Sequence, residues 1–514
     1  MGGFSDAKTT GKWPRFFVGL STLVLLTVAT NASPATRSTG KPVSKPSAKS
    51  KATNSAKKLS KSTLAWSPCG GLVECTSLRV PIDPADPSLG TTRLAIGRIQ
   101  AVDPASRRGV LFVNPGGPGG SAISLVAGIA RDRGRGTAAL GFDDWDVVGV
   151  DPRGVGQSDP IRCGTQPTDL GVNPFDTARQ DASREQVRAG FVADCLARTG
   201  PLFTHAGTIA AADDLDRVRV ALGETKVDYL GYSYGTVLGA VYASRYGNNV
   251  RSMVLDAAVD PARYGPSLVI DAAVAVEGRL RDFTASCSAT PTCPYQSAER
   301  NTPESMAASI ERDLLAIETA APPITNLEIR SRLLLLFEES ANWRTAAAYL
   351  SDLNAAVKSP DLTRQLASLR GYDSTFAQLV SSPVFWAVEC ADGAYPVDAA
   401  GLAKVVDGIR AAAPVLGSSM ARLGDLCVGW PNPQPLGSLR STVATPILVI
   451  GGTKDSRTPV GWSSGLVTTL GNASLLVREG DGHASIPRSG CVRRAVSLFL
   501  ATQQLPASNT VCGP

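Results

Sequence analysis

The 514-residue sequence predicts an α/β fold, with a mostly parallel central sheet, helices on both faces and an inserted helical cap. Three observations predict it. Short apolar runs recur after residue 65, several without polar alternation, as strands covered on both faces require. Segments of helical periodicity separate many of them. One long stretch, from about Tyr264 to Leu436, is rich in Ala and Leu, helical in pattern and without a clear strand.

In chain order, residues 1–32 read as a secretory signal peptide. Lys8, Lys12 and Arg15 precede the apolar run Phe16–Ala29, which is short for a bilayer span, and small residues follow at Ala32 and Ala35. Retention of the run as an anchor is the alternative. Residues 33–64 are Ser, Lys, Thr, Ala and Pro without apolar periodicity, a disordered basic linker. Residues 1–61 hold eleven Lys/Arg and one Asp, a charge of +10, so the rest of a chain of net +6 carries −4. The tail's charge suits electrostatic contact with an anionic cell envelope. The mildly acidic remainder offers no basic face for nucleic acid.

The first part of the core spans 65–263. Strands are expected at Thr76–Ile82, Arg93–Val102, Val110–Asn114, Trp145–Val150, Val227–Leu230 and Ser252–Leu255, with helices at Thr208–Leu222 and Thr236–Tyr246. Residues 264–436 form the cap, expected over the carboxyl ends of the strands, where open α/β sheets bind ligands. Residues 437–514 complete the core with strands at Pro446–Ile450 and Ser474–Val477 and a helix at Val492–Gln503.

The ten cysteines, an even number, suit disulfides formed in an oxidising compartment. Pairing neighbours in sequence gives Cys69–Cys75, Cys163–Cys195, Cys287–Cys293, Cys390–Cys427 and Cys491–Cys512, although spacing alone leaves connectivity open. No CxxC or Cys/His cluster suggests zinc, and the chemistry below calls for no metal or organic cofactor.

The chain has two histidines, so the choice of a general base near neutral pH is narrow. His483, in Gly480-Asp481-Gly482-His483, directly precedes the terminal helix. Upstream, the strand Val227–Leu230 runs into Gly231-Tyr232-Ser233-Tyr234-Gly235, where glycines permit a sharp strand-to-helix turn that presents Ser233 as a nucleophile. Between them Ile447–Ile450 ends in Gly451-Gly452-Thr453-Lys454-Asp455, which offers Asp455 to orient the imidazole. Asp481 is its rival, two residues from the histidine. Gly461-Trp462-Ser463-Ser464-Gly465 repeats the GxSxG pattern, but it follows no apolar strand and comes after Asp455, so Ser463 is read as a decoy. His205 precedes Ser233 and is assigned a structural or surface role. After the strand Val110–Val113, Asn114-Pro115-Gly116-Gly117-Pro118-Gly119-Gly120-Ser121 resembles an oxyanion loop. Pro118 has no N–H, so Gly117 or Gly119 supplies one donor and the Tyr234 N–H the other.

Ser, then acid, then His is the chain order of an α/β-hydrolase. With Asn114–Ser121, Asp151-Pro152-Arg153-Gly154-Val155-Gly156-Gln157-Ser158, Gly231–Gly235, Asp455 and Gly482-His483, the chain resembles the secreted actinobacterial tripeptidyl aminopeptidases, a branch of the prolyl aminopeptidase-like serine peptidases. The resemblance covers most of the chain after the tail. It implies an α/β-hydrolase with a helical cap and a Ser233/Asp455/His483 triad that releases short peptides or residues from free N-termini. Exported members of the group include carboxylesterases, so an ester substrate is the alternative, and a non-catalytic envelope-binding protein is a further one. Single-residue prolyl aminopeptidases carry His before Gly-Gly-Pro-Gly. Pro115 stands there instead, which argues against a strictly proline-removing activity. An aminopeptidase requires a negative group for the substrate ammonium, and the cap segment Trp386–Asp392 offers Glu389 and Asp392. Asp151 and Arg153 are read as shaping the loop after the fourth strand.

Overall fold

The computed structural model describes residues 64–134, 141–164, 181–320, 323–369, 382–396, 398–420, 424–507 and 510–513. The expected signal peptide and all but the last residue of the linker lie outside them. Ten strands form one sheet: β1 (Ser67–Gly70), β2 (Val73–Pro81), β3 (Thr91–Ile99), β4 (Gly109–Asn114), β5 (Trp145–Val150), β6 (Val227–Tyr232), β7 (Val250–Asp256), β8 (Ile447–Lys454), β9 (Ala473–Asp481) and β10 (Val511–Cys512). Their order is β1-β2-β3-β5-β4-β6-β7-β8-β9-β10. The first three strands and the β3–β5 pair are antiparallel, and every pairing from β5 through β4 to β10 is parallel.

The eight strands expected from the sequence correspond to β2 through β9. Every residue of β4 and β5 is buried, which is why these runs lack alternation. Their side chains still divide by the two-residue period. Val110 and Phe112 pack on one face with Leu215, Val237 and Leu466, from the helices Thr208–Leu222, Tyr234–Tyr246 and Val460–Leu470. Leu111 and Val113 pack on the other with Val126 and Val496, from the helices Ala122–Gly134 and Gly490–Thr502. The chain is therefore layered helix–sheet–helix.

The two strands that the sequence pattern does not announce are the edges. β1 is fully exposed and β10 has two residues, too short for any periodicity. Each edge is held by a disulfide, Cys69–Cys75 to β2 and Cys491–Cys512 to the terminal helix. The other bridges are Cys163–Cys195, Cys287–Cys293 and Cys390–Cys427, so all ten cysteines pair with their sequence neighbours.

Between β7 and β8 the described residues form helices at Pro266–Ser288, Pro303–Ala320, Pro323–Glu338, Trp343–Val357, Leu362–Leu369, Pro383–Asp392 and Ala399–Ala412. Their apolar side chains, Phe283, Phe337 and Leu353 among them, belong to the same buried cluster as one face of the sheet. No helix among the described residues is long and apolar enough to cross a membrane.

The Cys491–Cys512 bridge closes a 21-residue separation. Replacing both cysteines by serine is expected to lower the unfolding free energy by about 3 kcal/mol, read from guanidinium denaturation without reductant.

Candidate active site

β6 ends at Tyr232, and the next helix starts at Tyr234 with most of its residues buried. Ser233, the single residue between them, adopts φ 55° and ψ −127°, a strained conformation for a side chain with a Cβ. Its N–H donates to the Asp256 carbonyl at 3.0 Å and its carbonyl accepts from Thr236 N at 2.8 Å. The turn is this tight because its neighbours have no Cβ. One on Gly231 would lie 2.3 Å from the Gly235 carbonyl oxygen. One on Gly116, in the loop after β4, would lie 2.4 Å from the Tyr232 carbonyl and 2.9 Å from the Tyr234 nitrogen. The loop thus lies against the elbow, with Gly117 and Tyr234 both lining the cavity that Ser233 enters.

His483 follows β9, and its Nδ1 lies 2.9 and 3.1 Å from the two carboxylate oxygens of Asp455, just past β8. Asp455 also accepts from Thr458 N at 3.0 Å, Thr458 Oγ1 at 2.9 Å and Arg457 N at 3.0 Å. Burial alone would raise the Asp455 pKa. The facing imidazole and these hydrogen bonds outweigh it and hold the carboxyl below its ordinary value. Asp481 faces elsewhere, accepting from Ser340 N at 2.6 Å and Arg279 Nη2 at 3.2 Å.

The loop that carries His483 has no regular structure and bends at Gly482 (φ 87°) and Ala484 (φ 66°). Charged side chains satisfy its backbone instead. Arg478, 2% exposed, donates to the carbonyls of Asp481 at 2.9 Å and Gly482 at 2.8 Å. Asp256 accepts from Ser485 N and Ile486 N, both at 2.8 Å. Glu338 accepts the His483 N–H at 2.9 Å. None of Arg478, Asp256 and Glu338 lies in a motif, so the sequence gives no signal for them. Burial pushes the Asp256 pKa up to about 6 against the two backbone N–H donors.

Ser233 and His483 open into one cavity of about 290 Å³ between sheet and cap. Its walls are largely apolar and include Leu268, Val269, Leu334, Phe385 and Trp386. Glu389 lines it too; its carboxylate accepts from Tyr264 Oη at 2.6 Å, and burial pushes its pKa up to about 8. Asp392, one turn along the same helix, does not line the cavity. It receives the N–H of Thr208 at 2.9 Å and also the Thr208 hydroxyl, serving the helix Thr208–Leu222, whose cap residue Gly207 has no side chain to offer; burial raises its pKa to about 7.

Ser463 is fully buried inside the helix Val460–Leu470, packed on β8 so closely that a Cβ on Gly451 would lie 2.6 Å from its hydroxyl. The His205 ring is bonded to the Pro201 carbonyl at 2.7 Å, outside the cavity lining. Asp151 binds Ser121 Oγ, Ile123 N and Gln157 N, and Arg153 is buried on Asp214 and three backbone carbonyls; both shape loops.

Residues 109–487 match the model of the alpha/beta hydrolase fold family. The chain is 29% identical over 464 residues to a Streptomyces lividans protein named tripeptidyl aminopeptidase, covering 86% of this chain and 84% of that one. It is 30% identical over 467 residues to a Mycobacterium tuberculosis protein named carboxylesterase B, covering 86% of each. It is 35% identical over 245 residues to the M. tuberculosis serine protease Hip1, covering 45% of this chain and 46% of that one.

The raised pKa of Asp256 sets the sign of a pH effect. Its folded-state value lies above its unfolded value, so its contribution to stability is greatest below the unfolded pKa and is lost as pH rises through about 6. Between pH 5 and 7 the wild type should lose about 1 kcal/mol relative to Asp256→Asn, measured by denaturant unfolding of both at each pH.

Proposed function

Because the chain belongs to the alpha/beta hydrolase fold family, we propose that it is an exported serine hydrolase releasing short peptides or residues from free N-termini. The observation that carries this reading is the meeting, in one apolar cavity, of Ser233, the Asp455-bound imidazole of His483 and the buried carboxylate of Glu389. Five disulfides favour an oxidising compartment, and with it export.

In this reading His483 takes the Ser233 hydroxyl proton as the oxygen attacks the acyl carbon. Asp455 keeps Nδ1 protonated and leaves Nε2 as the base. The N–H groups of Gly117 and Tyr234 receive the developing oxyanion, the latter at a helix N-terminus where N–H groups lack partners within the helix. His483 returns the proton to the leaving amine, and water then resolves the acyl-enzyme by the same relay. The substrate ammonium is assigned to Glu389. Asp392, already bonded to Thr208, is left to hold the cap on the core. The apolar walls also suit an acyl ester, and the similarity to a protein named carboxylesterase B keeps that reading second.

A fluorophosphonate probe should label the wild type and Ser463→Ala but not Ser233→Ala; labelling of Ser233→Ala would overturn the nucleophile assignment. Asp455→Asn should lower kcat on the order of 10³–10⁴-fold, while Asp481→Asn stays within about tenfold. With free-N-terminus p-nitroanilides, kcat/KM should peak near pH 8. Glu389 ionises at about 8 and a peptide amine loses its proton at about 7.7–8.0. Acetylating the substrate, or Glu389→Gln, should remove that peak. Turnover of esters without turnover of such peptides would establish the esterase reading instead.

A further inference from the structure

We infer that Glu338, the last residue of the cap helix Pro323–Glu338, is a positioning residue that locks the loop carrying His483 to the loop carrying Asp455. The inference rests on the triad proposed above and goes beyond it, because it makes the cap part of the machinery that aims the imidazole.

One carboxylate spans both loops. Glu338 Oε1 accepts the His483 backbone N–H at 2.9 Å, and Oε2 accepts from Arg457 Nε at 2.7 Å. Arg457 in turn gives its backbone N–H to Asp455 Oδ1 at 3.0 Å. Glu338 is 6% exposed, and its counter-ion is the partly exposed Arg457. The next two cap residues extend the grip: Glu339 pairs with Arg488, whose Nη1 donates to the His483 carbonyl, and Ser340 N donates to Asp481.

Arg478 at 481–482 and Asp256 at 485–486 act on either side of the histidine, Arg488 takes its carbonyl, and Glu338 takes its N–H. With positive φ at both Gly482 and Ala484, His483 stands at the tip of a bend whose own N–H is given to Glu338. Loss of that acceptor leaves a part-buried N–H unpaired and the tip free to tilt. Glu338 and Arg457 also line the cavity, but the ammonium is assigned to Glu389, so a tilt that moves Nε2 relative to Ser233 acts on the chemical step more than on binding.

The test compares wild type, Glu338→Ala and Glu338→Gln on p-nitrophenyl acetate, which carries no ammonium, and on a free-N-terminus tripeptide p-nitroanilide. Melting temperatures are recorded in parallel. Glu338→Ala should lower kcat roughly tenfold or more on both substrates with KM within about twofold. Glu338→Gln keeps an acceptor for the His483 N–H and should recover part of the loss. If Glu338→Ala does not fold, Glu338→Gln decides alone, with kcat down about threefold or more and KM unchanged. Wild-type kcat in whichever variant decides overturns the inference. So does a change confined to KM for the free-N-terminus peptide, which would make Glu338 a substrate-binding group. Failure of the wild type to react with a fluorophosphonate would instead sink the proposed function.

Discussion

The backbone at Ser233 is the constraint around which the site is arranged. A non-glycine residue at φ 55° and ψ −127° costs about 1–3 kcal/mol, and it persists only where the surroundings over-determine it. Here they do so through hydrogen bonds at both ends of the residue and through a glycine loop pressed against the turn. A buried tyrosine behind the turn, Tyr229, donates its hydroxyl to the Gly235 carbonyl at 2.6 Å. The hydroxyl is consequently held at the strand edge before any substrate arrives. Every other part of the site is placed relative to it by the parallel register of β4, β6, β7, β8 and β9.

Four buried carboxylates near this centre show how one environment yields opposite outcomes. Asp256, Glu389 and Asp392 lie where burial dominates, and their pKa values rise. Asp455 is equally buried, but it faces an imidazole and three hydrogen-bond donors nearby, and its pKa falls. Burial sets the scale of the effect, and the direct hydrogen bond to the imidazole, which Asp256 lacks, accompanies the opposite sign at Asp455. Glu389 is bonded to a tyrosine hydroxyl, and the neighbouring Asp392 charge adds to the rise in its pKa.

Much of this was legible in the sequence, for reasons that can be stated. Buried parallel strands announce themselves as unbroken apolar runs, so β4 to β8 could be read, and motifs at their carboxyl ends could be read in chain order. Context separated Ser233 from Ser463: both sit in GxSxG, but only one follows a strand. Glu389 and Asp392 could not be told apart, because three residues along a helix is a rotation whose direction depends on what the helix packs against. Glu338, Arg478 and Asp256 were invisible for a different reason. They act on backbone groups, and Glu338 lies 145 residues from the N–H it accepts. No local pattern records such a contact.

Both margins of the sheet end in a strand that would not hold by its own pairing: four exposed residues at one side and two at the other. Each is riveted by a cystine. In an oxidising medium these short terminal strands cover part of the longer β2 and β9, β1 at Val73, Glu74 and Cys75 and β10 at Val477 and Arg478. A reductant would do more than loosen two loops. It would release the pairing at Val73–Cys75 on one flank and at Val477 and Arg478 on the other, and so lengthen the edges open to another strand.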